Sequence, residues 1–423
     1  MRPFHNRFAL SGLLAGMTVS REVELEGHII DSGMMQACFG IVMDLGGSFE
    51  VEEFEVGRSE TAESYARMSV IADSEGALRS IVHELHQNGA NLSDPVDATL
   101  EPAPADQVVP PNFYSTTNHP TEIRHEGQWL PVERIEMDCA VVIDSEEGRA
   151  YTKVLNAIEE GDLIVTGEAG IRVSPPERPR SREGAFGFME GGISSERPSQ
   201  STIARVADAI RETKREDGSI LVVPGPALVH SGARDDLARL VSEGYIDALS
   251  AGNGLAVHDL ERDLYGTSLG VDTETLDHPR KGHKHHIYAI SEIIRAGGIT
   301  EAVASGLVES GVMYRCVQEG VPYVLAGSIR DDGPLPDTIT DAVEAQDAIR
   351  EQAHEADLVL MLSTLLHSVA VGNCLPSSTR VICVDIDPAT VTQLLDRGSA
   401  QAVGMVTDIG TFVPMLAEQL LEE

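Results

Sequence analysis

Lysine is nearly missing from this chain. Of 31 basic residues only Lys153, Lys214, Lys281 and Lys284 are lysines, against 68 acidic residues and a net charge of −37. No basic stripe is present to neutralise phosphates, which argues against nucleic acid as a partner. An acidic surface that avoids lysine suits a protein adapted to high internal salt, where screening removes most self-repulsion. Long apolar runs are missing too. None reaches the roughly 18–20 residues that span a bilayer, so no membrane partner is expected. The five cysteines, Cys38, Cys139, Cys316, Cys374 and Cys383, form no C-x-x-C pair. An odd count without such pairs argues against a disulfide framework or a structural zinc site, leaving burial as small apolar residues. The opening "MRPFHNRFALSGLLAG" faintly resembles a signal peptide, but Met17 precedes an obvious first strand. Residues 1–19 are therefore expected to be a disordered leader and the protein cytoplasmic.

What is present is alternation. Residues 20–145 carry strand signals ("REVELEGHII", "SFEVEEFEV", "YARMSVIA", "ATLEP", "RIEMDCAVVID") around one helix, "SEGALRSIVHELHQNG". That pattern predicts an N-terminal α+β domain with a helix on an antiparallel sheet. Residues 146–200 are rich in Pro and Gly and are expected to be a turn-rich bridge, packed through short apolar runs at 163–165 and 171–173. From 201 to 423, apolar strands at 220–223, 246–249, 323–325, 358–362, 381–384 and 402–406 alternate with helical segments. Such a series predicts an α/β domain with a doubly wound, mostly parallel sheet, covered on both faces.

In sheets of that kind ligands gather at the carboxyl ends of the strands. The usual G-x-G-x-x-G fingerprint is absent, yet several strand ends carry suggestive residues. "SAGNGLAVHDLE" sets Asn253 and Gly254 at a helix start, where glycine allows close backbone approach and N–H groups attract phosphate; turn formation explains the glycines equally. "AGSIRDDGPLPD" offers Asp332, either in an Asx-type turn or facing a ligand. In "STLLHS", Thr364, Leu365, Leu366 and His367 enter a helix across the sheet edge. His367 is either a satisfied helix-terminal histidine or a ligand contact. Asp385 follows at the tip of the next strand, about where a ribose diol needs a carboxylate, which favours NAD over NADP. Asp408, with Ile409, ends the last strand. The cluster "HPRKGHKHHIYAI" invites a metal reading, but only His283 and His286 share a helix face, and no Cys or acidic residue completes a site. No metal is expected.

The stretches "ELEGHIIDSGMMQACFGIVMDLGGSFEVEEFEVG", "SYARM", "GIRVSPPERPR", "SSERP", "GNGLAVHDLERDLYGTSLG", "STLLHSVAVGN" and "TDIG" resemble the archaeal-type ornithine cyclodeaminases. That family is similar to the domain found with plant lysine-ketoglutarate reductase/saccharopine dehydrogenase and to the C-terminal part of cyanobacterial arginine dihydrolases. The resemblance runs from about residue 20 to the C-terminus. It implies a deoxyhypusine-synthase-like variant of the NAD-binding fold, which would account for the missing fingerprint, and a homo-oligomer. It implies NAD contacts at Asn253, Gly254, Asp332, Thr364 to His367, Asp385, Asp408 and Ile409.

The implied reaction converts L-ornithine to L-proline and ammonia. A hydride leaves Cα for the nicotinamide, the δ-amine attacks the resulting imine, ammonia departs and the hydride returns. Such a site must hold a carboxylate, deprotonate an ammonium group and exclude water. Lys153, a lysine in a chain that otherwise uses arginine, is the candidate acid/base, with a surface lysine as the competing explanation. Arg67 and Arg172 are candidates to clamp the substrate carboxylate, or else structural ion pairs. Asp31 and Asp44 are candidates for the substrate's ammonium groups, or else solvated carboxylates. Two other functions fit these residues: an NAD-dependent amino-acid dehydrogenase of lysine or ornithine metabolism, and an NAD-binding protein without turnover.

Overall fold

The computed structural model of the chain describes residues 18–27, 29–30, 33–57, 64–93, 96–174, 200–272, 284–397 and 402–421. Two compact units form. One comprises Met1–Glu133 with Asp138–Arg180, the other Arg134–Met137 with Ser181–Glu423.

The second unit is built on a seven-stranded parallel sheet. Its spatial order is Thr338–Ile339, Tyr323–Ala326, Ala248–Gly252, Ile220–Pro224, Leu358–Leu362, Arg380–Asp385, Ala402–Val406. The strand of this sheet that comes first in the chain, Ile220–Pro224, is thus central. Successive strands are added on one side of it, then the chain returns and builds outward on the other. Period-2 alternation divides each strand between two cores. Ile220, Val222, Leu360 and Ile382 belong to one, with helices Gln200–Arg215, Arg234–Ser242, Asn253–Tyr265 and Ile409–Leu421. Leu221, Val223, Val359 and Cys383 belong to the other, with Ala342–His354, Leu366–Cys374 and Pro388–Arg397. Strands buried on both faces read as continuous apolar runs, and that is why this sheet is visible in the sequence. Asp341 caps the helix after the short edge strand by accepting the N–H groups of Val343 and Glu344 at 2.8 and 3.1 Å. Arg134–Met137 adds a buried pair, Glu136 to Arg350 at 2.7 Å.

The first unit contains two sheets. A four-stranded antiparallel sheet, in the order Ser48–Glu55, Ser64–Ala72, Val19–Gly27, Asn91–Leu92, packs against two helices, Met34–Asp44 and Glu75–Gln87. A single helix was expected there. Met34–Asp44 lacks a Ser, Thr, Asp or Asn cap and starts from left-handed Gly33, so it carries no start signal. The second sheet has seven short strands in the order Ile171–Val173, Thr121–His125, Gln128–Glu133, Arg149–Lys153, Ala140–Asp144, Leu163–Thr166, Thr99–Pro102. Residues 149–173, expected as the front of a bridging segment, supply three of these strands. Each is short, and two of them have partners far along the chain: Leu163–Thr166 pairs with Thr99–Pro102 and Ile171–Val173 with Thr121–His125. Residues 175–199 lie outside the described residues.

Candidate functional site

The order of the parallel sheet fixes where a ligand can enter. The order in which strands are added reverses between the parallel neighbours Ile220–Pro224 and Leu358–Leu362, and ligands of doubly wound sheets bind outside the carboxyl ends at such a switch point. A cleft of about 690 Å³ opens there, within the 300–1,000 Å³ typical of cofactor sites. It is lined by Pro224 and Pro226, by Gly252 to Leu255, by Ser328 to Asp332, and by Leu366 and His367, with His258 and His286 on its wall.

Three glycines substitute for the missing fingerprint. Gly225 donates its N–H to Leu362 O at 2.8 Å, and a Cβ at this position would overlap the Ser363 carbonyl. Ser363 itself takes a left-handed φ of 53°, so the two central strand exits cross at close quarters. A Cβ on Gly252 would lie 2.6 Å from His367 Nε2, which is how the histidine ring reaches the cleft floor. Gly254 faces open space, with Pro226 Cγ at 3.6 Å the nearest atom to a Cβ. No side chain caps the helix that begins at Asn253. Its first-turn N–H groups and helix dipole favour an anionic guest. The buried Asn253 side chain accepts from Leu335 N at 3.0 Å and Thr338 Oγ1 at 2.8 Å and donates to Gly333 O at 3.2 Å, tying down the chain that follows Asp332.

The wall histidines sit in different electrostatic settings. His258 Nδ1 lies 2.9 Å from Oε2 of Glu261, a carboxylate with no exposed surface. Burial alone would raise the Glu261 pKa, but hydrogen bonds from His258, Gly270 and Thr267 outweigh it and hold the group below its ordinary value. The His230 ring centre is 5.0 Å from that of His258, and its Nδ1 is 2.6 Å from Ser268 Oγ. Burial and neighbouring His258 push His230 down to about 4. His286 meets Asp332 at 3.2 Å. Burial lowers His367 as well, partly offset by Asp331.

The structure gathers some of the expected residues and leaves others apart. Asn253, Gly254, Asp332, Leu366 and His367 line the one cleft, and Thr364 and Leu365 form the turn beside it. Asp385 lies at the same end of the sheet, one residue beyond Val384, whose carbonyl accepts from Ser363 N at 2.8 Å. It is outside the cleft lining, and its Oδ1 accepts from Asp387 N at 2.9 Å. Asp408 ends the neighbouring strand and accepts from Gly410 N at 2.7 Å. Ile409 is core rather than lining.

In the first unit, Lys153 is clamped by Asp162 at 2.8 and 3.1 Å, with Glu159 at 3.6 Å. Burial would lower its pKa, yet the Asp162 hydrogen bond and charge prevail and raise it, the reverse of what a general base needs. The Asp162 ion pair is the structural explanation that the sequence left open beside the acid/base role. Arg67 pairs with Glu53 at 3.1 Å, and Arg172 pairs with Glu122 at 3.2 Å while lying over the Trp129 ring at 4.2 Å. Asp44 is exposed at a helix end, and Asp31 lies outside the described residues, as does His283. Sequence reasoning took Ser363 only as a possible cap of the following helix, which has no side-chain cap, and passed over Gly225 and the His258–Glu261 pair. The last was legible as an i, i+3 His/Glu pair on a helix opening at a strand end.

A doubly wound sheet with an uncapped helix start and a cleft at its switch point defines a Rossmann-type nucleotide-binding domain. Family matching agrees: residues 204–416 match "Arginine dihydrolase ArgZ-like, C-terminal, Rossmann fold", residues 20–119 the "LOR/SDH bifunctional enzyme conserved region", and residues 120–203 the first region of the ArgZ-like C-terminal part. A protein named ornithine cyclodeaminase from Methanopyrus kandleri is 53% identical over 398 residues, covering 94% of this chain and 96% of its own. The chain belongs to the ornithine cyclodeaminase family of enzymes. Among solved structures, the cyanobacterial arginine dihydrolase ArgZ is similar with a TM-score of 0.84 and 38% identity, over 96% of this chain. AgrE, solved as a ternary complex with ornithine and NAD+, is similar with a TM-score of 0.52 and 41% identity, over the same share. The chain spans only 58% of each of these longer proteins.

Proposed function

We propose that this chain is an NAD-dependent ornithine cyclodeaminase converting L-ornithine to L-proline and ammonia. The observation that carries this reading is the switch-point cleft lined by Asn253, Gly254, Asp332 and His367, in a family one of whose relatives was solved with ornithine and NAD+. The residues present fit a dinucleotide. Gly254 leaves open space where a side chain would fill the cleft, and the helix start at Asn253 suits a diphosphate. Asp385 has its second oxygen available for ribose hydroxyls. Thr364 to His367, Asp332, Asp408 and Ile409 complete the proposed cofactor set. When bound, NAD supplies an acceptor for the Cα hydride and gives the same hydride back, so each turnover leaves it unchanged.

The chain's own tasks are to bind and orient the amino acid, exclude water and move protons. Arg67 and Arg172 stay candidates for the substrate carboxylate. Each sits in a half-exposed pair worth at most about 1 kcal/mol, so an incoming carboxylate displaces the glutamate at little cost. Asp44 is exposed and makes no ion pair among the described residues, which leaves its carboxylate open to an ammonium group. The decisive assay incubates the purified protein with ornithine and NAD in high salt, following ammonia, proline and NADH absorbance. Proline and ammonia in equal amounts without net NADH are expected. Net NADH in proportion to product would instead make it a dehydrogenase, and no product at all would leave an NAD-binding protein without turnover.

A further inference from the structure

The cyclodeaminase reading requires a group that carries protons between the two amino nitrogens of the substrate, and Lys153 is held in the wrong charge state for it. We infer that His258 is the acid/base of the cleft, with Glu261 as the residue that positions it. This assignment rests on the functional reading above and goes beyond it by naming the proton carrier.

Four observations converge on His258. Its ring lines the cleft. Its Nδ1 is engaged by Glu261 at 2.9 Å, and that carboxylate is fully buried. Glu261 is fixed in turn by Thr267 Oγ1 at 2.8 Å, Gly270 N at 3.0 Å and Leu269 N at 3.2 Å, so the acceptor cannot swing away. An ionised carboxylate only accepts hydrogen bonds, so Nδ1 carries the proton and Nε2 presents a lone pair. A buried acid that sets the tautomer of a histidine whose other nitrogen meets the substrate is a recurrent arrangement for proton transfer. The other histidines in and beside the cleft lack it. His230 meets a serine hydroxyl, His286 meets Asp332, which is mostly exposed, and His367 has no carboxylate in hydrogen-bonding reach among the described residues. The charged and titratable groups around His258 are Glu261 on its own helix, His230 and His286 on adjoining helices, and Asp331, Asp332 and Arg330 on the facing loop.

The protons balance as follows. With Cα at the imine level, His258 Nε2 takes a proton from the δ-ammonium, and the freed lone pair forms the new bond to Cα. The imidazolium gives that proton to the α-nitrogen. The ring nitrogen passes its extra proton to the same imidazole as the bond from Cα to the α-nitrogen breaks, and the imidazolium gives that proton to the departing ammonia, which leaves as ammonium and restores the neutral ring.

The test is His258→Asn, whose amide can keep the hydrogen bond to Glu261 while lacking any atom at Nε2. We expect proline formation to fall by about 10²–10⁴-fold, with NAD affinity by calorimetry and melting temperature near those of the parent. Added imidazole should restore part of the activity in His258→Ala. Glu261→Gln, read by its pH profile, should move the acidic limb of kcat/KM to lower pH, which loss of packing alone would not do. An active parent with His258→Asn turning over within about threefold overturns the assignment and leaves the function standing. So does a Glu261→Gln profile superimposable on the parent's, should His258→Asn fold poorly. A parent that makes no proline sinks the function and this inference together.

Discussion

The two units treat their charged residues in opposite ways. In the parallel-sheet unit, residues far apart in sequence, Asn253, Asp332 and His367, are brought to one cleft because all parallel strands end on the same side. In the first unit, antiparallel strands scatter their ends, and Lys153, Arg67 and Arg172 each have a local acidic partner. A charged side chain singled out by type alone is therefore weak evidence of chemistry. One singled out by its position at a parallel strand tip is stronger, because topology rather than composition gathers such residues.

The comparison can be broken most forcefully at buried polar groups that hold the cleft unit together. Asp259 has no exposed surface, meets Arg234 Nε at 2.6 Å and accepts the N–H groups of Val312 and Met313 at 3.1 and 2.8 Å. Asp259→Ala leaves the buried Arg234 guanidinium with only the exposed Asp235, at 3.1 Å, as a carboxylate partner and should cost about 3–5 kcal/mol in urea unfolding. A loss below about 1 kcal/mol would show that the pair is not structural.

In the first unit the counterpart is His86, wholly buried, with no hydrogen-bond partner for either ring nitrogen among the described residues. Burial pushes its pKa down to about 4 from an ordinary 6.5. The folded state thus keeps this ring neutral while the unfolded chain protonates it. Its contribution is fully present above pH 6.5 and is lost as pH falls towards 4, amounting to about 3 kcal/mol. Unfolding free energies at pH 7 and pH 4.5 should differ by less in His86→Leu than in the parent. Equal differences would refute the assignment.

Lys153→Met sharpens the contrast on a smaller scale. It should lower stability by about 1–2 kcal/mol, since Asp162 is left partly buried, while turnover per folded molecule is retained. A complete loss of turnover in folded protein would return Lys153 to the chemistry. Smallest of all, Arg67→Ala and Arg172→Ala should each cost under about 1 kcal/mol of stability. A large rise in KM for ornithine in either one identifies the arginine that meets the substrate carboxylate.

The sequence made the parallel sheet readable because strands buried on both faces leave unbroken apolar runs, and six of its seven strands were placed to within a few residues. Thr338–Ile339 has two residues, too few for any pattern. The second sheet of the first unit escaped notice for another reason: its register depends on pairing between segments such as 99–102 and 163–166, and no local signal encodes that. At the site, Asn253, Gly254 and His367 were legible from their place after strands. His258 was legible only as half of an i, i+3 His/Glu pair; its meaning depends on the burial of Glu261 and on turn amides at 269 and 270 that only the folded chain assembles.

The central claim is that NAD occupies the switch-point cleft, and calorimetric titration of NAD into the parent and Gly254→Leu addresses it most directly. A Cβ there would make ordinary van der Waals contact with Pro226 Cγ at 3.6 Å and no closer one, so the fold should tolerate a leucine while the cleft is filled. The expected result is saturable binding to the parent, weakened by about 100-fold or more in the variant, a loss of about 3 kcal/mol, with little change in melting temperature. NAD binding of equal strength in both proteins would contradict the claim.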